Sequence, residues 1–454
     1  MKNKEKKIKL LISVLYAIVL LILCLFHEHW FDEAQSWQIS KHFKFSILQS
    51  EGHPFLWYFV ETFFIRIGLI FRLSWIIPYI FTLSGSILLL YKGKMNTLLK
   101  VLIIFNPAVI YYSGCFVRSY CLIYFLVVLL LIVYPNRRKY SILYGILMLL
   151  LINSHVLICG LIGALLLIDS YDFIKTKDKN TRKKIIISTI IAVIGIILLY
   201  LQLSKSLSVN KHLVNHSKGN FFEYLFADIF LISNGFSIYI FNIFLIIFMI
   251  MLIVLLIKKD EFRACFILIF TIVFQLVIYL KVYKFHDHFI TIIFLGVLFA
   301  LSEIKKIDKL NKIVICVLLI PIFKTVELSI YEIRYPYSDS INAYNYISKN
   351  VEKGKTIYCM CYTACTSVKA YDTDNKYKFV YYDSLDEVYY GPQDIKENTI
   401  SEKQRKINQL LKEENDFILI DYYSDDETYD DNFNILFKTK EAKYDKFLII
   451  SLNK

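Results

Sequence analysis

Residues 331–454 contain no glycine-rich phosphate loop of the GxGxxG or P-loop kind and no catalytic-triad pattern, which excludes an independent nucleotide-binding or triad-hydrolase domain of those types there. Paired CxxC spacing is missing as well. Nine cysteines are spread along the chain, mostly inside apolar runs where they read as small buried hydrophobes. The one cluster, "CMCYTAC" (Cys359, Cys361, Cys365), lacks the spacing of a zinc site and leaves a disulfide open. The formal net charge of +13 is not gathered into a basic stripe with interleaved aromatics, so no nucleic-acid partner is expected. The N-terminal "MKNKEKKIKLLISVLYAIVLLILCLF" has the shape of a signal peptide without a small-residue cleavage site, and "LILC" is not a lipobox. It is expected to remain as a first membrane span.

What is abundant is hydrocarbon. With 57% hydrophobic residues and a mean hydropathy of +0.50, the composition is that of a multi-span membrane protein. Eleven spans are expected, at 9–26, 75–91, 97–113, 119–134, 140–152, 156–170, 185–203, 235–257, 264–281, 289–302 and 313–330. With that count the basic clusters "KNKEKKIK", "KGK", "RRK", "KTKDKNTRKK", "KKDEFR" and "EIKKIDKLNK" all fall on the cytoplasmic side. The stretch 53–72 carries Glu61 and Arg66, and Tyr58, Glu61, Thr62 and Arg66 share one helical face, so it is read as an interfacial helix. Residues 140–170 are read as two short helices turning at Asn153, Ser154 and His155, a recessed floor beneath the outer surface.

This threading places all nine histidines (27, 29, 42, 53, 155, 212, 216, 286 and 288) on the outer side, with 27–74 as the first outer loop. Beyond residue 331 the apolar runs shrink to strand length, "KTIYCMCY", "KFVYYD", "FILIDYY", "FNILFK" and "KFLIISL". They alternate with the helical patterns "INAYNYISKN" and "SEKQRKINQLLKEE", so a small α/β domain is expected.

Four groups carry candidate chemistry. In "HEHWFDEAQSW", Asp32 followed by Gln35 has the pattern of an N-cap and its capping-box partner, and the same carboxylate at a membrane boundary suits a general base; both readings stand. Adjacent helical residues point about 100° apart, so Asp32 and Glu33 are not expected to act on one atom; one would be the base and the other an orienting group. In "EGHPFLWYF", Gly52 and Pro54 make a turn into a helix, while Glu51 and His53 flank it and need polar partners. Arg118, at the outer end of a span, reads either as a snorkelling side chain or as an anion site. The basic turn "KVYKFHDHF" offers Lys284, His286 and His288 to a phosphate or sugar; without a third ligand its histidines do not point to a metal.

"WFDEAQSWQIS … EGHPFLWYFVE … VRSYCL … NSHVLICG" resembles, in order and spacing over about the first 170 residues, the GT-C class of integral-membrane glycosyltransferases. The likeness is to a bacterial DEAQ, EGHP and RSY group in the protein-mannosyltransferase-like superfamily. It implies a GT-C-like transmembrane domain over 1–330 and an extracytoplasmic α/β accessory domain over 331–454. The N-terminus would be cytoplasmic, in the cell membrane. It implies transfer of a sugar, with inversion, from a polyprenyl-phosphate donor to a hydroxyl of a glycan, lipid or protein acceptor, with Asp32 as base. Glu33, Glu51, His53 and His155 would bind or orient substrate, and Arg118, Lys284, His286 and His288 would bind the donor phosphate. No organic cofactor is implied; a divalent metal is compatible with a monophosphate donor but not required, and no residue is assigned to one. The chain departs from broader relatives in having Gly114-Cys115-Phe116-Val117 where an acidic residue precedes the arginine, and lysine and histidine in the last outer turn where many have arginine.

Two other functions fit a polytopic chain. A transporter or flippase of lipid-linked sugars would show paired broken helices with charges near the midplane, whereas the central segments here are nearly charge-free. A non-catalytic scaffold would leave Asp32 as a helix cap.

Overall fold

The structure is a computed structural model that describes residues 2–45, 48, 52–204, 253–254, 257, 261–281, 295–299, 302, 308–360, 362–381, 418–422, 433–442 and 444–452. The chain forms two compact units. The first comprises Met1–Leu21, Gly52–Trp57 and Pro78–Leu328; the second comprises Ile22–Glu51, Tyr58–Ile77 and Ser329–Lys454.

Helices follow the apolar runs: α1 (Lys2–Phe26), α2 (Phe31–His42), α3 (Leu56–Arg66), α4 (Ile76–Lys92), α5 (Thr97–Ile104), α6 (Tyr120–Val133), α7 (Ser141–Ile152), α8 (Cys159–Lys175), α9 (Lys179–Leu203), α10 (Phe262–Lys281) and α11 (Asp308–Arg334). Among the described residues four stretches are long and apolar enough to cross a membrane, Asn3–Phe26, Phe71–Lys92, Val156–Lys175 and Lys179–Leu203. The chain is therefore a helical membrane protein, but eleven spans are not reached. Most of the expected spans 235–257 and 289–302 lie outside the described residues. Others are too short. Residues 97–113 do not form one helix: α5 stops after 8 residues, and a π-helical turn, Ala108–Ser113, follows Pro107. Proline lacks the N–H that would continue the ladder and disfavours helical geometry in the residue before it; the Asn106 side chain accepts the Ala108 N–H instead, at 3.0 Å.

Within the first unit, α7 and α9 approach closely at glycines. A Cβ on Gly195 would lie 3.0 Å from the Leu149 backbone, and one on Gly145 would lie 3.0 Å from the Ile191 side chain. Where lipid offers no hydrophobic drive, such small residues let helices meet by van der Waals contact. The chain turns between α7 and α8 at residues 153–155, and the turn is tied down by polar bonds. Asn153 donates to the Leu149 and Gly195 carbonyls and accepts from Gln202 Nε2 at 2.8 Å. At the other end of these helices, buried Asp169 accepts from Arg137 (3.3 Å) and Arg138 (2.6 Å), while Asp172 is shared by Arg137, Arg138 and Arg263.

In the second unit, the polar face read on 53–72 is largely buried. Tyr58, Glu61 and Thr62 of α3 are buried and Arg66 alone is exposed. The cause is α2: Ser40 Oγ donates to Glu61 at 2.7 Å, Ser36 Oγ donates to the same carboxylate, and Thr62 donates to the Ser40 carbonyl. At 11 residues, α3 is about 16 Å long, well short of a span.

The C-terminal segment folds as a five-stranded sheet of order β2-β1-β3-β5-β4, with β1 (Thr356–Cys359), β2 (Lys378–Tyr381), β3 (Ile418–Tyr422), β4 (Phe433–Lys438) and β5 (Phe447–Leu452). β1 pairs in parallel with β2 and β3, and β5 runs antiparallel to β3 and β4. Helices α12 (Ser340–Asn350) and α13 (Tyr362–Ala370) belong to the same domain. Its core is Ala343, Ile347, Val368, Phe379, Ile420, Phe447 and Ile449 with their neighbours, and Phe31 of α2 packs against it. Cys359 and Cys365 form a disulfide. The expected helix over 401–414 lies outside the described residues.

Removing one side of a buried ion pair strands its partners. Asp169→Ala is expected to destabilise the helical unit by about 3 kcal/mol, read as a lowered Tm of the detergent-solubilised protein; an unchanged Tm would contradict the burial of this cluster.

Candidate functional site

The link between α1 and α2 carries a dense buried polar cluster. Residues 27–30 have no regular secondary structure, Trp30 is extended, and the chain enters α2 at Phe31, with His27 and His29 both turned towards Glu33. Trp30 is the N-cap, Asp32 is the second helical residue and Glu33 the third. The capping expectation is thereby corrected: Glu33, not Asp32 with Gln35, performs it, accepting the Trp30 N–H at 3.0 Å. The two acids then part company as their 100° separation requires. Glu33 is fully buried and Asp32 half-buried.

Glu33 is held by histidine. His27 Nε2 lies 3.1 Å from its Oε2, and His29 Nδ1 lies 3.7 Å from its Oε1, beyond hydrogen-bond reach. The other nitrogen of each ring is also engaged. His27 Nδ1 meets Glu332 at 2.8 Å, and His29 Nε2 meets the Ser74 hydroxyl at 3.1 Å. Burial opposes a charge on His27, but the carboxylates of Glu33 and Glu332 outweigh it and raise the imidazole to about 10. Against its own burial, Glu33 is held well below the usual carboxylate range by His27 and then His29. Glu28, between the histidines, behaves oppositely. Burial, then the negative charge of Asp339, raises it to about 7, and its Oε2 makes no hydrogen bond among the described residues.

Distant segments of the same unit fix this turn. Ser340 Oγ donates to the His29 carbonyl at 3.1 Å, and Asp445 Oδ2 accepts the Phe31 N–H at 3.0 Å while its Oδ1 accepts from Tyr422. Trp30, at the N-cap of α2, forms a ring cluster with Tyr337 and Tyr444, with centroids 4.9 to 5.7 Å apart. Tyr444 is exposed.

The first unit brings together three other candidates. Gly52 has φ +87°, a left-handed conformation that favours glycine, and turns the chain so that His53 lies beside His155, ring centroids 5.8 Å apart. The turn is anchored by the Phe55 N–H donating to Gln202 and the Leu56 N–H donating to the Asn153 carbonyl. Burial, and after it the Arg118 guanidinium, lower His155 to about 3 and hold His53 well below its ordinary value. His155 Nδ1 accepts the Leu157 N–H at 3.2 Å, which suits a neutral ring. The cluster is thus one permanent cation with two uncharged imidazoles.

Glu51, Lys284, His286 and His288 lie outside the described residues. Several participants escape a sequence reading. Glu332, Ser340 and Asp445 sit in unremarkable local contexts, and nothing near them in the chain marks them as partners of residues 27–31. Glu28 was visible within "HEH", where a carboxylate between two histidines is itself a signal. No protein-family model, no curated protein and no solved structure matches the chain.

Burial and, among lesser causes, the nearby charge of Asp32 raise Asp445 to about 6 against the hydrogen bonds that lower it. The folded chain therefore keeps this proton to higher pH than the unfolded chain does. Its contribution favours folding below pH 4, declines as pH rises to about 6, and is constant above that. Asp445→Asn is expected to remove that limb, so that the stability difference, variant minus wild type, grows by about 2–3 kcal/mol between pH 4 and 7. Thermal melts across that range check it, and a flat difference would contradict the raised value.

Proposed function

We propose that the protein is a membrane glycosyltransferase of the GT-C class that moves a sugar from a polyprenyl-phosphate donor to an acceptor hydroxyl on the outer face, with inversion. The observation that carries this reading is the division of labour at the start of α2: Glu33 is buried and committed to His27 and to capping, whereas Asp32, the adjacent carboxylate, stays half-exposed at the helix N-terminus. Asp32 takes the acceptor proton as the hydroxyl attacks the anomeric carbon, and polyprenyl phosphate leaves. Arg118, with Lys284, His286 and His288, stabilises the charge developing on that phosphate. Beside Arg118, neutral His53 and His155 add donors or acceptors without adding charge, and Glu51 orients the acceptor. The aromatic cluster of Trp30, Tyr337 and Tyr444 suits the apolar face of a sugar.

In this reading the N-terminus is cytoplasmic and residues 331–454 are extracytoplasmic. The Cys359–Cys365 disulfide supports that side, since such bonds persist in oxidising compartments.

Because Asp32 is not the helix cap, Asp32→Asn separates base from fold. Wild type and variant are compared for release of polyprenyl phosphate from a panel of lipid-phosphate sugars in membranes. A fall of about 10²–10⁴-fold in the variant, with expression and Tm retained, is the expected result. Equal release from both would remove Asp32 as base, and no release from any donor by wild type would move the function to transport or scaffolding.

A further inference from the structure

His27, His29 and Glu33 are arranged as more than a charge cluster. One donor atom from each lies within 4.8 Å of the others, and all three side chains are buried. The histidine nitrogens approach different oxygens of Glu33, His27 Nε2 at 3.1 Å from Oε2 and His29 Nδ1 at 3.7 Å from Oε1, so the carboxylate presents one oxygen to each ring; donors on a tetrahedral ion with bonds of 2.0–2.1 Å stand about 3.3 Å apart.

The outer nitrogens tell the same story. His27 Nδ1 is on the Glu332 carboxylate and His29 Nε2 on the Ser74 hydroxyl. Metal-binding histidines are oriented in this way, the far nitrogen tied to a carboxylate or other polar group and the near one aimed at the ion. His29 Nδ1 is the second, independent sign. It is buried and makes no hydrogen bond among the described residues. If it carries the proton, the nearest Glu33 oxygen is too far to accept it; if it does not, a lone pair faces a carboxylate across 3.7 Å. Either tautomer leaves a buried polar atom unsatisfied, and a cation between the two satisfies both.

We propose that His27 Nε2, His29 Nδ1 and Glu33 bind one divalent ion of the zinc class. Two imidazole nitrogens and one carboxylate are a donor set that suits zinc and leaves one position open. Binding releases the proton that joins His27 Nε2 to Glu33, and the Glu332 carboxylate compensates part of the added charge through His27 Nδ1. The ion fixes the link between α1 and α2 and the first turn of α2, and so positions Asp32 from the side. This inference does not rest on the glycosyl-transfer reading, because the ion would order the turn whatever reaction the turn serves.

The test uses the full chain in detergent, stripped by chelator, titrated with Zn²⁺ or Co²⁺ and desalted. The expected result is one retained equivalent by elemental analysis and, for Co²⁺, the intense visible absorption of a four-coordinate site. Both should be lost in His29→Gln and Glu33→Gln. Ser74→Ala, which leaves every ligand in place, should weaken affinity about 10- to 100-fold, and it decides the matter if the ligand variants fail to fold. Wild type that retains no stoichiometric metal and shows no cobalt absorption overturns the proposal, as does metal uptake unchanged across all three variants. These readouts are independent of sugar transfer, so their failure is distinct from failure of the Asp32 assay.

Discussion

A charged imidazole walled in by two carboxylates is the interaction around which the start of α2 is organised. In a buried site an isolated charge is costly, so His27, Glu33 and Glu332 exist there only as a set, negative, positive, negative. The set constrains geometry as well as charge. Glu33 must reach the Trp30 N–H and His27 at once, which fixes where the helix begins. Glu332, near the end of α11, must reach residue 27, which fixes where that helix ends. Asp32, next to Glu33 in the first turn of α2, stays half-exposed.

The same physics appears in the helical unit with the signs reversed. There the guanidinium groups of Arg137, Arg138 and Arg263 converge on Asp169 and Asp172, and Arg137 also lies over the Tyr134 ring at 4.2 Å. Arginine suits the task because its planar fork can serve two carboxylates together. Helix packing supplies the rest, through the contacts that Gly145 and Gly195 permit between α7 and α9.

How much could be read beforehand depended on the range of the interaction. The five strands were legible as short apolar runs bounded by polar residues, because strand pairing leaves a local pattern. The break at Asn153 to His155 was legible because basic clusters flank both sides of 140–170. The interruption at Pro107 was missed, since hydropathy averages over a proline that backbone geometry does not forgive. The capping assignment failed for a related reason. Asp32 with Gln35 satisfies a spacing rule, but Trp30 is drawn to the cap position once Glu33 is claimed by His27. Partners 305, 311 and 414 residues distant, Glu332, Ser340 and Asp445, leave no trace in local sequence.

Those separations also set a timetable. Residues 27–33 are made long before Asp445, which receives the Phe31 N–H from 414 residues further along the chain. During synthesis the α2 turn spends most of its early life without the groups that hold it, carrying His27 and Glu33 without Glu332. Closing contacts over such distances is entropically slow. The turn thus reaches its final form only once Glu332, Ser340 and Asp445 have emerged, so that a chain interrupted before them would lack an ordered α2 start.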